Sequence, residues 1–290
     1  MEPDHQLSLP ADGTPSLLTA NLASSEDGRL VYASRNSIYV AEAGTARQLK
    51  LQEDGNVHRA CWVSVSGSQK LVAAAQNSVQ IWDADGSLLY LCWALPPPAA
   101  SFGGAYYASS VAAVSPTESI YVGSSAGDLF VFSSAGDMIS YRSTAVAHDS
   151  AVTALAANDS TAPSVLVSGS GSGEIKVWDA FSMSATIQIA GSGFGVTALA
   201  LCEGFIIAGF ETGARWWNTA VRFPRSSAVT HGCPVLCCVV SGHVRTFDIS
   251  TGARQAEIMA HMYERELCRV FASLGNQAAV CYQHCGSLVC

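Results

Sequence analysis

Short, dense apolar runs punctuate the chain at regular intervals: "RLVYAS" (29–34), "KLVAAA" (70–75), "SIYVGSS" (119–125), "SVLVSGS" (164–170) and "GFIIAGF" (204–210). They are rich in β-branched and aromatic residues, too short for helices and bounded by Gly, Ser and Asn, so they predict strands. Each is followed by a second run that alternates and closes on an aromatic, often with an aspartate: "SVQIWDADG" (78–86), "DLFVFSSAG" (128–136), "EIKVWDAFS" (174–182) and "HVRTFDIST" (243–251), with "SIYVAEAG" (37–44) as a weaker copy. A third run lies further back, as in "AVTALAAND" and "GVTALALCE". Each unit is several short strands joined by tight turns, and the expected class is all-β.

Taking the closing position as a ruler, Ala41, Trp82, Phe132, Trp178 and Phe247 are separated by 41, 50, 46 and 69 residues. The first three intervals match the period of about 40 to 45 residues of a four-stranded propeller blade with insertions. The longest of these three contains "ALPPPAASFGGA", whose proline run cannot sit in an interior strand. Both faces of "VLVSG" and "FIIAG" are apolar, which suits a sheet covered on each side by its neighbours. The alternating glycines Gly169, Gly171 and Gly173 run into a strand and not into a helix, so they predict a hairpin turn and not a phosphate cradle.

Composition sharpens the class. Apolar residues make up 49% and charged residues 13%, which describes a globular chain with a large buried fraction. The net charge of −8 arises from scattered carboxylates with no Lys/Arg run, which disfavours nucleic-acid binding. The opening "MEPDHQLSLPADG" lacks the basic end and apolar run of an export signal, and "CPVLCCVV" (233–240) falls far short of the roughly 18 residues of a spanning helix. The expectation is a cytoplasmic protein without membrane insertion, with its ten cysteines as reduced thiols, most of them small core residues.

The stretch "AHDSAVTALAAND…VLVSGSGSGEIKVWDA" (147–180) resembles a WD repeat, and weaker copies extend the resemblance over most of residues 17 to 280. The resemblance implies a WD-repeat β-propeller with six or seven blades intended and an incomplete C-terminal end. It would comprise a tail over 1–16 and a single propeller domain over 17–290. It also implies a buried polar relay, here His148, Ser168, position 172 and Trp178. Position 172 is Ser, and Ala126 and Thr212 stand at the matching places, so the relay's carboxylate is missing. Asp83, Asp179 and Asp248 end equivalent strands, where they read as turn formers bonded to local backbone.

Two regions depart from the pattern. Deleting 214–242 would restore a 40-residue spacing and join "IIAGFETG" to "HVRTFDIS", so the segment reads as an irregular insertion or a retained intron. "ELCRVFAS" and "QAAVCYQHC" read as the first two strands of a sixth unit that stops before its aromatic strand.

Candidate chemistry is sparse. His231, Cys233, Cys237 and Cys238, and Cys281, His284, Cys285 and Cys290, are metal-binding residue types without the paired C-x2-C spacing of structural zinc sites, so no metal and no cofactor are expected. No G-x-S-x-G nucleophile elbow is present. "WDAD" and "WDAF" lack the arginine of the Trp-Asp-x-Arg docking motif of ubiquitin-ligase substrate receptors. Phe102, Tyr106 and Tyr107, in the Gly-rich "ASFGGAYYASS", are candidate partner-binding residues, weighed against simple cover for the adjoining blade. The reading is a non-catalytic scaffold or adaptor for other proteins. The alternative is a propeller enzyme or metal-binding protein using carboxylates, His or Cys near a central channel.

Overall fold

The computed structural model describes residues 6–8, 22–25, 29–42, 45–53, 55–158, 164–191, 193–202, 205–210, 213–218, 235–240, 243–248, 254–259, 269–273, 280–281 and 287–289. Among them the regular structure is strands plus one 3-10 turn, Ser115–Thr117. β1 is Gln6–Ser8. A first antiparallel meander follows in β2 (Leu22–Ser24), β3 (Leu30–Ser34), β4 (Ser37–Glu42) and β5 (Thr45–Lys50). The second meander is β6 (Val57–Val65), β7 (Ser68–Ala75), β8 (Ser78–Asp83) and β9 (Leu89–Ala94). The third is β10 (Ala108–Val114), β11 (Ser119–Ser124), β12 (Asp128–Ala135) and β13 (Met138–Val146). The fourth is β14 (Val152–Ala157), β15 (Val165–Ser170), β16 (Ile175–Asp179) and β17 (Ser184–Ile189). β18 (Val196–Cys202), β19 (Phe205–Phe210) and β20 (Gly213–Asn218) make a three-stranded fifth sheet.

Four of the five ruler positions share one register. Ala41 pairs with Leu30, Trp82 with Leu71, Phe132 with Ile120 and Trp178 with Leu166, so the closing residue always faces a Leu or Ile of the second strand. At Trp82, Phe132 and Trp178 the pairing to the fourth strand shifts by a bulge, which strengthens the local twist.

The segment 214–242 is where strand pairing departs from the sequence expectation. β20 carries "ARWWN" and pairs along β19, with Trp217 opposite Ile206, so the fifth unit has its own third strand there. Its ruler residue is Trp217, 39 residues after Trp178. Phe247 belongs to the next sheet, formed by β21 (Val235–Val240), β22 (His243–Asp248), β23 (Arg254–Met259) and β24 (Arg269–Ser273), in the order β23-β22-β21-β24. In it Phe247 faces Leu236, and "RVFAS" supplies the strand beside β21. Residues 219–234 lie outside the described residues. Two strands were thus hidden inside a supposed insertion, because strand-forming residues there follow no WD signature. β25 (Val280–Cys281) and β26 (Ser287–Val289) pair with each other, and β26 pairs with β1. Gln6–Ser8, inside the expected tail, is therefore a strand, and "QAAVCYQHC" contributes to this sheet and not to that of "RVFAS".

By packing, the chain divides into two compact units, Met1–Val152 with Ala279–Cys290, and Thr153–Ala278. In the first, Val31, Ile38, Leu71 and Ala73 form one core between the first two meanders. Val72, Ala74, Ala108, Ile120, Phe130 and Phe132 form another between the second and third. In the second, Val167, Ile175, Val196, Ile206 and Phe210 fill the space between the fourth meander and the fifth sheet. Within each unit, neighbouring meanders thus shelter each other's apolar faces.

Close approach of sheets fixes the glycines. Gly169 lies inside β15, and a Cβ there would sit 2.6 Å from Val196 Cγ1. Only Gly173 of the three alternating glycines takes a positive φ, 85°. Gly169 is therefore a packing glycine and not a turn glycine, which corrects the sequence reading. Gly123 is its counterpart in the third meander, where a Cβ would meet Val152 Cβ at 2.7 Å.

Candidate functional site

The sequence offers two sets of candidate residues: the repeat positions, and the aromatic segment before β10. Among the repeat positions, Trp178 is buried and donates its indole N–H to Ser168 Oγ at 2.9 Å. His148 is buried in the other unit, with its backbone N–H on the Gly127 carbonyl. Trp82 is equally buried, but its indole N–H has no acceptor. The register explains this: Leu71 and Leu166 are matching residues, so Ala73 stands where the fourth meander has Ser168. Phe132 lies in an aromatic cluster, with Trp93 at 5.2 Å and 85° and Tyr141 stacked on Trp93 at 5.0 Å. Such pairs add about 0.5–1.5 kcal/mol each beyond burial.

Asp83 and Asp179 close the turns that follow them. The Asp83 carboxylate accepts the N–H groups of Ser87 (2.7 Å) and Leu88 (3.1 Å) and the Ser87 hydroxyl. Partial burial works against its charge, but the Ser87 hydroxyl and these N–H groups hold its pKa below the usual carboxylate range. Asp179 accepts the Ser182 N–H and hydroxyl and the Phe181 N–H, which lower its pKa likewise. Phe247 and Asp248 end β22.

Sequence reasoning missed a pair of cationic staples. Arg29, buried, donates Nη1 to the Ala84 carbonyl (3.1 Å) and pairs with Asp85 (2.7 Å), where Trp62 Nε1 also donates to Ala84 O. Lys70 pairs with Asp137 at 3.0 Å and lies 4.0 Å from the Tyr90 ring centroid. Arg29 precedes Leu30 as Lys70 precedes Leu71, so a cation at one repeat position reaches the turn of the next sheet in both cases. The signal was present as the "RL" and "KL" that open two matching runs.

Phe102, Tyr106 and Tyr107 are brought onto the second and third meanders and all three are half-buried. Phe102 meets Tyr106 edge-on at 6.0 Å, and Tyr107 stacks on His58 at 3.9 Å and 18°. The segment is laced to the β11–β12 turn: Ser125 Oγ donates to the Ala105 carbonyl (2.8 Å) and accepts the Tyr107 N–H (3.0 Å). Burial, then the Asp128 carboxylate, push the Tyr106 phenol up to about 12, so it is a neutral donor at any ordinary pH. Between these anchors Gly103, Gly104 and Ala105 are exposed.

His58 is a second residue the sequence did not single out. It is the bulged second residue of β6, matching Ser109 of β10 and Thr197 of β18. Ser109 donates its hydroxyl to the Val152 carbonyl, and Thr153, second in β14, donates to the Val196 carbonyl. His58 makes no such bond; its Nδ1 is buried without a partner, and burial lowers its pKa to about 4.

Among the described residues no three His, Cys, Asp or Glu side chains gather as a metal site, and no helix is long and apolar enough to cross a membrane. Of the expected metal-type residues, Cys237 and Cys238 lie in β21 and Cys281 in β25. His231, Cys233, His284, Cys285 and Cys290 lie outside the described residues.

No family model and no curated protein matches the sequence. Solved structures do match. One, a chain from the crystal structure of the mitotic checkpoint complex, superposes with a TM-score of 0.72, covering 89% of this chain and 82% of that one at 18% identity. The fold is a WD-repeat β-propeller. At that identity the likeness establishes architecture alone, and 1383 solved chains match, so the propeller's function must come from its own surface.

Proposed function

We propose that this propeller is a non-catalytic scaffold for other proteins in the cytoplasm, and that the segment bearing Phe102, Tyr106 and Tyr107 is a partner-binding face. The observation that carries it is the segment's construction: three half-buried aromatics flank an exposed Gly-Gly-Ala tip, which Ser125 ties down at Ala105 and Tyr107. Aromatics with one covered and one open face are efficient interface anchors, because their ordering cost is already met by the fold. The stretches "GFGVTALALCEGFIIAGFETG", "SIYVGSSAGDLFVF" and "VRTFDISTGARQAEIMAH" resemble WD repeat-containing protein 54, which supports the same adaptor reading. The matching chain in the mitotic checkpoint complex is likewise part of a protein assembly.

The test is affinity capture with the full-length chain beside Phe102→Ala/Tyr106→Ala. Tyr107 is left intact to preserve its stack on His58. The reading requires proteins retained by the wild type to drop at least about tenfold on the variant while its thermal melting stays cooperative. An unchanged set of retained proteins removes the segment from the interface.

A further inference from the structure

Among the described residues six large apolar side chains are exposed: Leu88, Met138, Tyr141, Val146, Phe181 and Phe194. Three share one place in the repeat. Leu88 follows β8, Met138 opens β13 and Phe181 follows β16, so each sits in or directly beside the turn from third to fourth strand. Singly exposed apolar residues need no explanation, but recurrence at one repeat position does. Leu88 and Met138, 55% and 79% exposed, lie on the second and third meanders, whose facing sides share a core.

Both turns are fastened from below. Asp83 fixes the Leu88 turn through its N–H groups, and Arg29 and Trp62 grip the Ala84 carbonyl from behind. Lys70 grips the Met138 turn through Asp137. Both cations are buried beneath the turns, whereas the Asp85 and Asp137 side chains are 74% and 78% exposed. What these tips offer to solvent is therefore an apolar knob beside a carboxylate, twice, on a preorganised support.

We infer that the third-to-fourth turns of the second and third meanders dock a partner segment in which apolar side chains alternate with Lys or Arg. Apolar side chains of the partner cover Leu88 and Met138, and its cations meet the outer faces of Asp85 and Asp137. A second copy of this chain fits poorly, since two chains of net charge −8 repel. The inference rests on the scaffold reading only in taking the occupant to be a protein, and it uses residues distinct from the Phe102 segment.

The experiment is fluorescence anisotropy of a labelled peptide of alternating Leu and Lys, and of its Leu–Glu counterpart, titrated with the full-length protein. Three samples are compared: wild type, Leu88→Ser/Met138→Ser and Phe102→Ala/Tyr106→Ala. The Leu–Lys peptide should bind wild type and the Phe102 variant alike, weaken at least about tenfold on the Leu88/Met138 variant, and weaken further as salt rises toward roughly 0.3 M. The Leu–Glu peptide should not bind. Equal binding of both peptides, or undiminished binding to Leu88→Ser/Met138→Ser, overturns the inference. So does a wild-type oligomer in sedimentation that the same double substitution dissociates, which would assign the surface to a second copy. Because the Phe102 variant keeps this binding while losing the captured proteins, the two readings fail separately.

Discussion

The second and fourth meanders are built on one register and solve the same problems with different residues. Where the fourth packs Gly169 under Val196, the second places Ala74 in a core shared with Ala108, exchanging a glycine–valine pair for two alanines. Where the fourth satisfies Trp178 with Ser168, the second leaves Trp82 facing Ala73. Where Thr153 bonds the next first strand, His58 stacks on Tyr107. The second meander has instead the cationic staples of Arg29 and Lys70. The two blades thus share backbone pairing and a closed apolar seam, and the polar groups that fasten them differ.

The largest expected effect tests the volume argument. Gly169→Ala places a Cβ against a β-branched core residue and should cost about 3 kcal/mol. Val196→Ala alone should cost about 2–3 kcal/mol through its cavity. Combined they recreate the alanine pair of the second meander, so urea unfolding of the double variant should fall short of the sum by at least about 1 kcal/mol. Simple additivity would break the comparison.

His58 supplies the next effect. Its folded pKa of about 4 lies below the ordinary histidine value of 6.5, so between these values the unfolded chain binds the proton and the folded chain does not. Stability is then complete above pH 6.5 and declines as pH falls toward 4, by an amount on the order of 3 kcal/mol. His58→Thr, which installs the fourth meander's residue, should flatten that part of the pH–stability profile. A profile that keeps its slope in the variant assigns the titration elsewhere.

Ser168→Ala should cost about 1–3 kcal/mol by stranding the Trp178 N–H, whereas Trp82→Phe removes an N–H that is already stranded and should cost less than about 1 kcal/mol beyond the lost area. Smallest of all, Ala73→Ser should stabilise by about 1 kcal/mol by giving Trp82 the acceptor that Trp178 has. A lowered urea midpoint for Ala73→Ser would mean that the hydroxyl does not reach the indole.

The strands, their four-fold grouping and the ruler positions were legible because alternation and aromatic spacing are properties of local sequence. The Asp83 and Asp179 turns were legible for the same reason, since their bonds span only a few residues. What escaped was what depends on a neighbouring sheet. Gly169 reads as a turn residue until Val196, 27 positions later, is placed over it. Arg29 and Lys70 look like ordinary strand-opening cations until the turns bearing Asp85 and Asp137 are brought over them. The fifth unit's third strand is not legible because "ARWWN" carries no aspartate, whereas the next sheet has the Phe247-Asp248 pair.

The burial of Lys70 turns an ordinary amine into a gauge. With its side chain 2% exposed between Asp137 and Tyr90, it is shut off from acylating reagents and from trypsin for as long as the second and third meanders stay together. Labelling at this single nitrogen would therefore time the parting of that seam, and a ligand that clamps the two sheets would slow the clock.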